Sequence, residues 1–257
     1  MTDWQDIPIY EGDLWGRFYR DYHENGAGTY FLRRDDGGLD VDAGNYFRTE
    51  LSELESQALE QVKGHVLDVG CGVGASILWL QKQGIQVTGI DISPGAVDIA
   101  RKRGARDARV MSLWDLPRIE ERFDTVIFIG NNTGLAGNLE KTGEMLEMLR
   151  GITTDGAVLI CHSLDPTPTD EPSHLAYHEW NKERGRYVGQ VTIRAEYDGY
   201  TEPWFDLVLF EPDVLKSLCK EHGWAPREII GSGGRYFLIA DKLINPRRCR
   251  RNRAHRP

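Results

Sequence analysis

The stretch Val66-Leu67-Asp68-Val69-Gly70-Cys71-Gly72-Val73-Gly74 decides the fold of this chain. A short apolar run, fit for a buried strand, meets glycines at alternate positions, and residues 75–82 continue with helical character. Glycine permits the tight turn and lets a ligand approach the backbone closely. The start of the following helix presents N–H groups that favour an anionic group.

Outward from this unit the alternation repeats. Residues 87–90 read as a second strand, ended by Asp91. Ser93 caps the next helix, with Pro94 in its first turn, and that helix runs to about Lys102. Residues 108–111 read as a weak strand and 123–129 as a strong one. Residues 139–150 form a helix, and 157–161 a strand after an Asp155-Gly156 turn. Strands alternating with helices at this spacing predict a parallel sheet covered on both faces. Asp165 to Pro172 is loop chemistry, with three prolines in eight residues. Beyond it a helix is expected near 173–184, strands at 187–197 and 204–210, and a helix at 212–222. A last pair of strands, 227–230 and 236–240, joins through Gly231-Ser232-Gly233-Gly234 as an antiparallel hairpin. Before the sheet, residues 45–62 carry Phe47, Leu51, Leu54, Ala58, Leu59 and Val62 at helical spacing, which predicts an amphipathic helix.

Composition bounds the function. The chain has 257 residues and 40% hydrophobic content, with no apolar run long enough to span a membrane. The N-terminal residues lack a secretory pattern, so a cytoplasmic protein is expected. Cys71, Cys161, Cys219 and Cys249 form no CxxC pair, so neither a disulfide framework nor a metal site is expected. The net charge is −9, and the six arginines from Arg247 onward leave −15 on the remainder. So acidic a body repels phosphate backbones, which makes nucleic acid an unfavoured partner. The basic end reads as a disordered terminus.

Two nucleotide cofactors compete for the glycine turn. Gly70-x-Gly72-x-x-Ala75 satisfies the loose dinucleotide pattern, which keeps an NAD(P)-dependent oxidoreductase as an alternative. Asp68 argues the other way. A carboxylate two residues before the first glycine repels a diphosphate, but suits a ligand with an amino group and a sulfonium. Asp91, 17 residues after Gly74, can accept both hydroxyls of a ribose.

With Asp68-x-Gly70-x-Gly72-x-Gly74 followed by Asp91-Ile92-Ser93-Pro94, residues 65–163 resemble the core of the class I S-adenosylmethionine-dependent methyltransferases. The resemblance implies a Rossmann-like, doubly wound α/β fold. Its seven-stranded sheet is mostly parallel and ends in an antiparallel hairpin, with N-terminal and inserted lid elements. It implies that Asp68, Gly70, Cys71, Gly72 and Gly74 hold the methionine part and that Asp91 and Ile92 serve the ribose side. Leu113 and Trp114 would flank adenine. Ser112 stands where many members have Asp, so Asp115 is a substitute candidate for the adenine amino group. Asn131 and Asn132, after the fourth strand, either bond the cofactor or acceptor or simply form a turn. The pattern His174-Leu175-x-Tyr177-His178-x-x-Asn181-x-x-Arg184-Gly185-Arg186, with Gly189-Gln190, Arg194 and Pro203-Trp204-Phe205-Asp206, resembles a bacterial and archaeal branch with largely unassigned substrates.

The chain is therefore expected to divide into an aromatic-rich lid (1–63), a cofactor core (64–163), an inserted lid (164–210), the end of the sheet (211–243) and the basic tail (244–257). A small-molecule acceptor methylated at oxygen or nitrogen is expected, with RNA or protein as the alternative acceptor, and a homodimer stays open. Tyr19, Tyr22, Tyr177 and Trp204 are candidate acceptor walls, and Arg184 and Arg186, with Arg194, candidate partners for an acceptor carboxylate or phosphate. Each can equally serve packing or ion pairing. His162, His174 and His178 are general-base candidates. The His174/His178 spacing lacks a third ligand, so no metal is assigned.

Overall fold

The computed structural model describes residues 4–42, 45–232 and 234–243. In chain order the elements are α1 (Leu14–Asn25), β1 (Tyr30–Arg34), β2 (Leu39–Asp42), α2 (Glu53–Leu59), β3 (Val66–Val69), α3 (Ala75–Lys82), β4 (Val87–Asp91) and α4 (Pro94–Lys102). They continue with β5 (Ala108–Val110), β6 (Phe123–Phe128), α5 (Leu139–Ile152), β7 (Thr153–Leu164), α6 (Pro172–Glu183), β8 (Gln190–Tyr197), β9 (Tyr200–Thr201), β10 (Phe205–Val208), α7 (Pro212–Glu221), β11 (Trp224–Ser232) and β12 (Arg235–Lys242). Short 3-10 segments cover Leu113–Arg118 and Asn132–Ala136.

Seven strands form one sheet in the order β11-β12-β7-β6-β3-β4-β5. The five from β7 to β5 run parallel, and β12 and β11 add antiparallel at the end. Alternation sorts each strand between two cores. Leu67, Val69, Val126, Phe128, Leu159 and Cys161 face one way, against α5, α7 and the Leu113–Arg118 segment. Val66, Ile127, Val158 and Ile160 face the other, with Ile77 and Leu80 of α3 and Val97 and Ala100 of α4. Each large apolar side chain so buried contributes about 1.5–3 kcal/mol before the entropic cost of ordering it. Trp224 is fully buried and still satisfies its indole N–H on the Leu146 carbonyl at 2.9 Å.

A second sheet of five strands, all antiparallel, has the order β10-β8-β1-β2, with β9 beside β8. Its register pairs Phe31 with Glu196 and Arg33 with Arg194. The segments set apart above as two lids, 1–63 and 164–210, thus share one hydrogen-bonded unit. Asp35-Asp36-Gly37 makes the turn between β1 and β2.

Local details differ from expectation in three places. The helical spacing over 45–62 gives only a 3-10 turn at Asn45–Phe47 and then α2, because Ser52 and Glu55 form a capping box that starts the helix at Glu53. The Asp155-Gly156 pair does not precede β7 but lies within it, at a register shift between Phe123 and Thr125 of β6. The helix α1 was not anticipated, although Asp13 caps its start and Gly26, left-handed at φ 72°, closes it. The basic tail, Cys249 and Gly233 lie outside the described residues. No helix among the described residues is long and apolar enough to cross a membrane.

Candidate functional site

The parallel strands β6, β3 and β4 deliver their C-terminal ends to one edge, where the glycine turn lies between β3 and α3. Gly70, Gly72 and Gly74 have φ of 73°, 52° and 82°, a region that other residues adopt only with strain. The N–H groups of Gly70 and Cys71 both donate to the Ile90 carbonyl, at 2.9 and 3.0 Å, which ties the turn to β4. A Cβ on Gly70 would come within 2.3 Å of Asn132 Nδ2, whereas one on Gly72 would meet no atom within 4 Å. Gly70 is thus pressed against the neighbouring turn, and Gly72 turns an open backbone outward. Gly74 opens α3, and Cys71 is buried with its thiol pushed up by burial.

Two carboxylates flank this turn. Asp68 is fully buried on β3. Its Oδ2 accepts the Ser76 hydroxyl, while Oδ1 is buried with no partner among the described residues. Burial first, opposed by the Ser76 bond and aided by nearby Asp91, pushes its carboxyl up to about 7. Asp91, at the end of β4, accepts the Gly72 N–H at 2.8 Å on Oδ2 and the Ser93 N–H at 2.9 Å on Oδ1. Burial raises its pKa too, against those two bonds.

Beside the turn, Ile92 is 75% exposed and Trp114 43% exposed. Trp114 and Leu135 share a cavity of about 490 Å³ that also touches Asn138, Lys141 and Asp206. Leu135 lies within 3.3 Å of the position a Gly70 Cβ would take, so the cavity borders the glycine turn. Ser112 caps the segment that carries Leu113 and Trp114, accepting the Trp114 N–H at 3.3 Å. Asp115 bonds Arg118 at 2.6 Å, an exposed ion pair that takes up the carboxylate proposed for adenine.

These observations fit an S-adenosyl ligand. An orphaned buried carboxylate oxygen suits a cation, an outward glycine backbone suits close approach, and a half-exposed indole suits a purine. The comparisons agree. A methyltransferase-domain family model matches residues 66–156. The crystal structure of an S-adenosylmethionine-dependent methyltransferase from Bacteroides fragilis, in complex with S-adenosyl-L-homocysteine, matches with a TM-score of 0.78 and 25% identity. The match covers 93% of this chain and 98% of that one. The chain is thus similar to the class I S-adenosylmethionine-dependent methyltransferases in its fold and, over residues 66–156, in its sequence. Demethylmenaquinone methyltransferase from Tropheryma whipplei (strain Twist) is 31% identical over 115 residues, 44% of this chain and 47% of the relative. Ribosomal RNA small subunit methyltransferase C from Alcanivorax borkumensis is 32% identical over 94 residues, 33% of this chain and 29% of the relative. The match to the first of these curated relatives thus spans about half its length.

Around this site the remaining expected residues fall into two groups. Asn132, which Asn131 precedes, reaches the glycine turn: its Nδ2 donates to the carbonyls of Val69 at 3.0 Å and Gly70 at 2.8 Å. His162, read above as a base, accepts the Asn131 N–H on Nδ1 at 2.9 Å. Tyr19 and Tyr22 of α1 pack in an aromatic cluster with Phe18, Tyr30 and Phe47 that reaches Val73 of the glycine turn. The others sit on the accessory sheet and α6. Tyr177 donates to Asp35 at 2.7 Å and accepts the Thr192 N–H. Arg184 lies over Trp180, Arg186 bonds Thr192 and Asp206, and Arg194 pairs with Glu196 beneath Trp204. His174 contacts Thr169 in the preceding loop, and His178 neighbours it on α6. Arg186 and Arg194 are partnered within the accessory sheet and Arg184 with Trp180 of α6, which accounts for their presence without an anionic acceptor.

Two residues that join the halves were missed. Asp13 accepts the N–H of Gly16 in α1 and, from α4, the N–H of Gly95 and the Ser93 hydroxyl, at 2.7–2.9 Å, so one carboxylate caps two helices. Arg103 donates to Val73 O at 2.7 Å and to Phe47 O and Arg48 O at 3.1 Å, stapling the N-terminal segment across the glycine turn. Asp13 before an apolar run was a visible cap signal. Nothing near Arg103 in the chain announces its partners.

Proposed function

We propose that the protein is a cytoplasmic enzyme that transfers the methyl group of S-adenosylmethionine to an oxygen or nitrogen of a small-molecule acceptor. The observation that carries the cofactor half is the buried Asp68, with an unpartnered oxygen, next to an outward glycine turn. A diphosphate cofactor would meet that carboxylate with like charge, whereas a ligand bearing an ammonium and a sulfonium would neutralise it. Asp68 and the turn from Gly70 to Gly74 would hold the methionine part, Asp91 the ribose, and Ile92, Leu113, Trp114 and Leu135 the adenine. When bound, the cofactor supplies an electrophilic methyl group on sulfur. The chain's own part is to align and to exclude water. The aromatic cluster around Phe18 and Tyr19 packs on Val73 and keeps solvent from that side of the turn.

The acidic body supports a small acceptor, since its charge of −15 outside the tail repels nucleic acid. The ribosomal RNA methyltransferase relatives favour RNA as a second reading. Incubation with methyl-labelled S-adenosylmethionine and a bacterial extract split into small molecules, RNA and protein separates the two. Label in the small-molecule fraction is expected. Label in RNA or protein alone contradicts the proposed acceptor class.

A further inference from the structure

We propose that His162 is a positioning residue of the cofactor turn, acting through residues 131–133 and not as a base. The inference rests on the reading that the glycine turn holds S-adenosylmethionine.

His162 stands near the end of β7 and grips the turn after β6 at two points. Its Nδ1 accepts the Asn131 N–H at 2.9 Å, and its carbonyl accepts the Thr133 hydroxyl at 2.9 Å. Between these grips Asn132 aims its amide at the cofactor turn, donating to Val69 O and Gly70 O. A Cβ on Gly70 would lie 2.3 Å from that amide nitrogen, so the amide rests directly on the turn. Asn131 itself is left-handed at φ 68°, a conformation asparagine adopts more readily than other non-glycine residues, so the residue type suits the turn that His162 grips. Its Oδ1 is buried with no partner among the described residues, so the held turn presents an acceptor as well as a clamp. An unbroken line of contacts therefore runs from the His162 ring to the backbone of Gly70.

The role requires a neutral ring that keeps its proton on Nε2, because Nδ1 accepts. The surroundings favour that form. The ring packs on Phe237 of β12 at 4.8 Å between centroids. Burial pushes its pKa down to about 4. Arg235 on β12 and Arg48 act in the same direction, and Glu55 on α2 opposes them. A base needs a lone pair for the acceptor's proton, and on His162 that lone pair is held by a backbone N–H.

Two variants and one spectrum test this. His162→Asn keeps an acceptor oxygen near the place of Nδ1, and His162→Phe keeps the ring's bulk without the acceptor. Calorimetric titration with S-adenosylhomocysteine should leave the Asn variant within about threefold of wild type and weaken the Phe variant about tenfold, as expected when a buried N–H loses its partner. Nitrogen NMR of the wild-type ring should show the Nε2–H form without titration between about pH 5.5 and 8. The spectrum decides even where the Phe variant fails to fold. A ring that carries Nδ1–H or titrates near neutrality overturns the proposal. So does a Phe variant that binds as tightly as wild type, or an Asn variant as weak as Phe. Wild-type protein that does not bind S-adenosylhomocysteine overturns the cofactor reading and this role with it, whereas tight wild-type binding with unaffected variants overturns the role alone.

Discussion

The two sheets of the molecule are held together by different means. The seven-stranded sheet is sandwiched between apolar layers, with Leu67, Val126 and Leu159 on one side and Val66, Ile127 and Ile160 on the other. The five-stranded sheet has aromatic packing on one face, through Tyr30, Leu32, Ala195 and Tyr197. On the other it carries ion pairs, with Glu196 shared between Arg33 and Arg194. It joins parts of the chain 163 residues apart and meets the core at two apolar seams, its aromatic face with α1 packing on Val73, Ala96 and Ile99 and Val208 of β10 entering the core cluster, while Asp13 on α4 and Gly16 against Gly95 fix α1. The core owes its stability to buried area. The accessory sheet adds ion pairs and close backbone approaches to its apolar seams, so single substitutions at those approaches should loosen it without unfolding the core.

The sharpest break is expected inside the core. Gly70→Ala puts a Cβ against Asn132 at a left-handed position, and should cost about 3 kcal/mol in urea unfolding and at least about a hundredfold in S-adenosylhomocysteine affinity. Gly95→Val comes next. Its Cβ would lie 2.4 Å from the Gly16 Cα, so α1 must lift, at a cost of about 2 kcal/mol. Limited proteolysis should then cut residues 4–42 while the core stays intact, and simultaneous loss of both sheets would contradict the division.

A smaller effect follows pH. Asp68 in the fold titrates at about 7, above the usual 3.8 of a free carboxyl. Between those values the unfolded chain is ionised at this residue and the folded one is not. Its contribution to stability therefore declines as pH rises through that window and is level above it. Urea midpoints across the window should show a steeper decline in wild type than in Asp68→Asn, where Asp91, also raised by burial, keeps its own share. Least of all, Asp115→Ala removes only an exposed pair with Arg118 and should shift stability by less than about 0.5 kcal/mol, with S-adenosylhomocysteine affinity nearly unchanged. A large loss of affinity would return Asp115 to the adenine site.

The same contrast explains what could be read from the chain alone. The units around Asp68 and Asp91 are written within short runs: α3 occupies 75–82 and α4 starts after Ser93, both as expected, because cap, period and stop lie side by side. The accessory sheet is not written that way. Tyr30-Phe31-Leu32-Arg33-Arg34 has no alternation to betray a strand, and its partner in β8 lies far along the chain. The spacing over 45–62 misled because Ser52 interrupts it with a cap. In the site, Asp68, the glycines and Asp91 were legible as a motif. The bonds of Asn132, His162, Asp13 and Arg103 were not, since each closes a contact between distant elements.

The turn at Gly70–Gly74, with Asp68 and Asp91, would hold the proposed S-adenosyl cofactor. Calorimetric titration with S-adenosylhomocysteine and with NADH, on wild type, Asp68→Ala and Asp91→Ala, tests it most directly. Micromolar binding of S-adenosylhomocysteine is expected, weakened at least about tenfold in both variants, as loss of a charged hydrogen-bond partner implies. No comparable binding of NADH is expected. Preference for NADH, or S-adenosylhomocysteine binding indifferent to both substitutions, would contradict it.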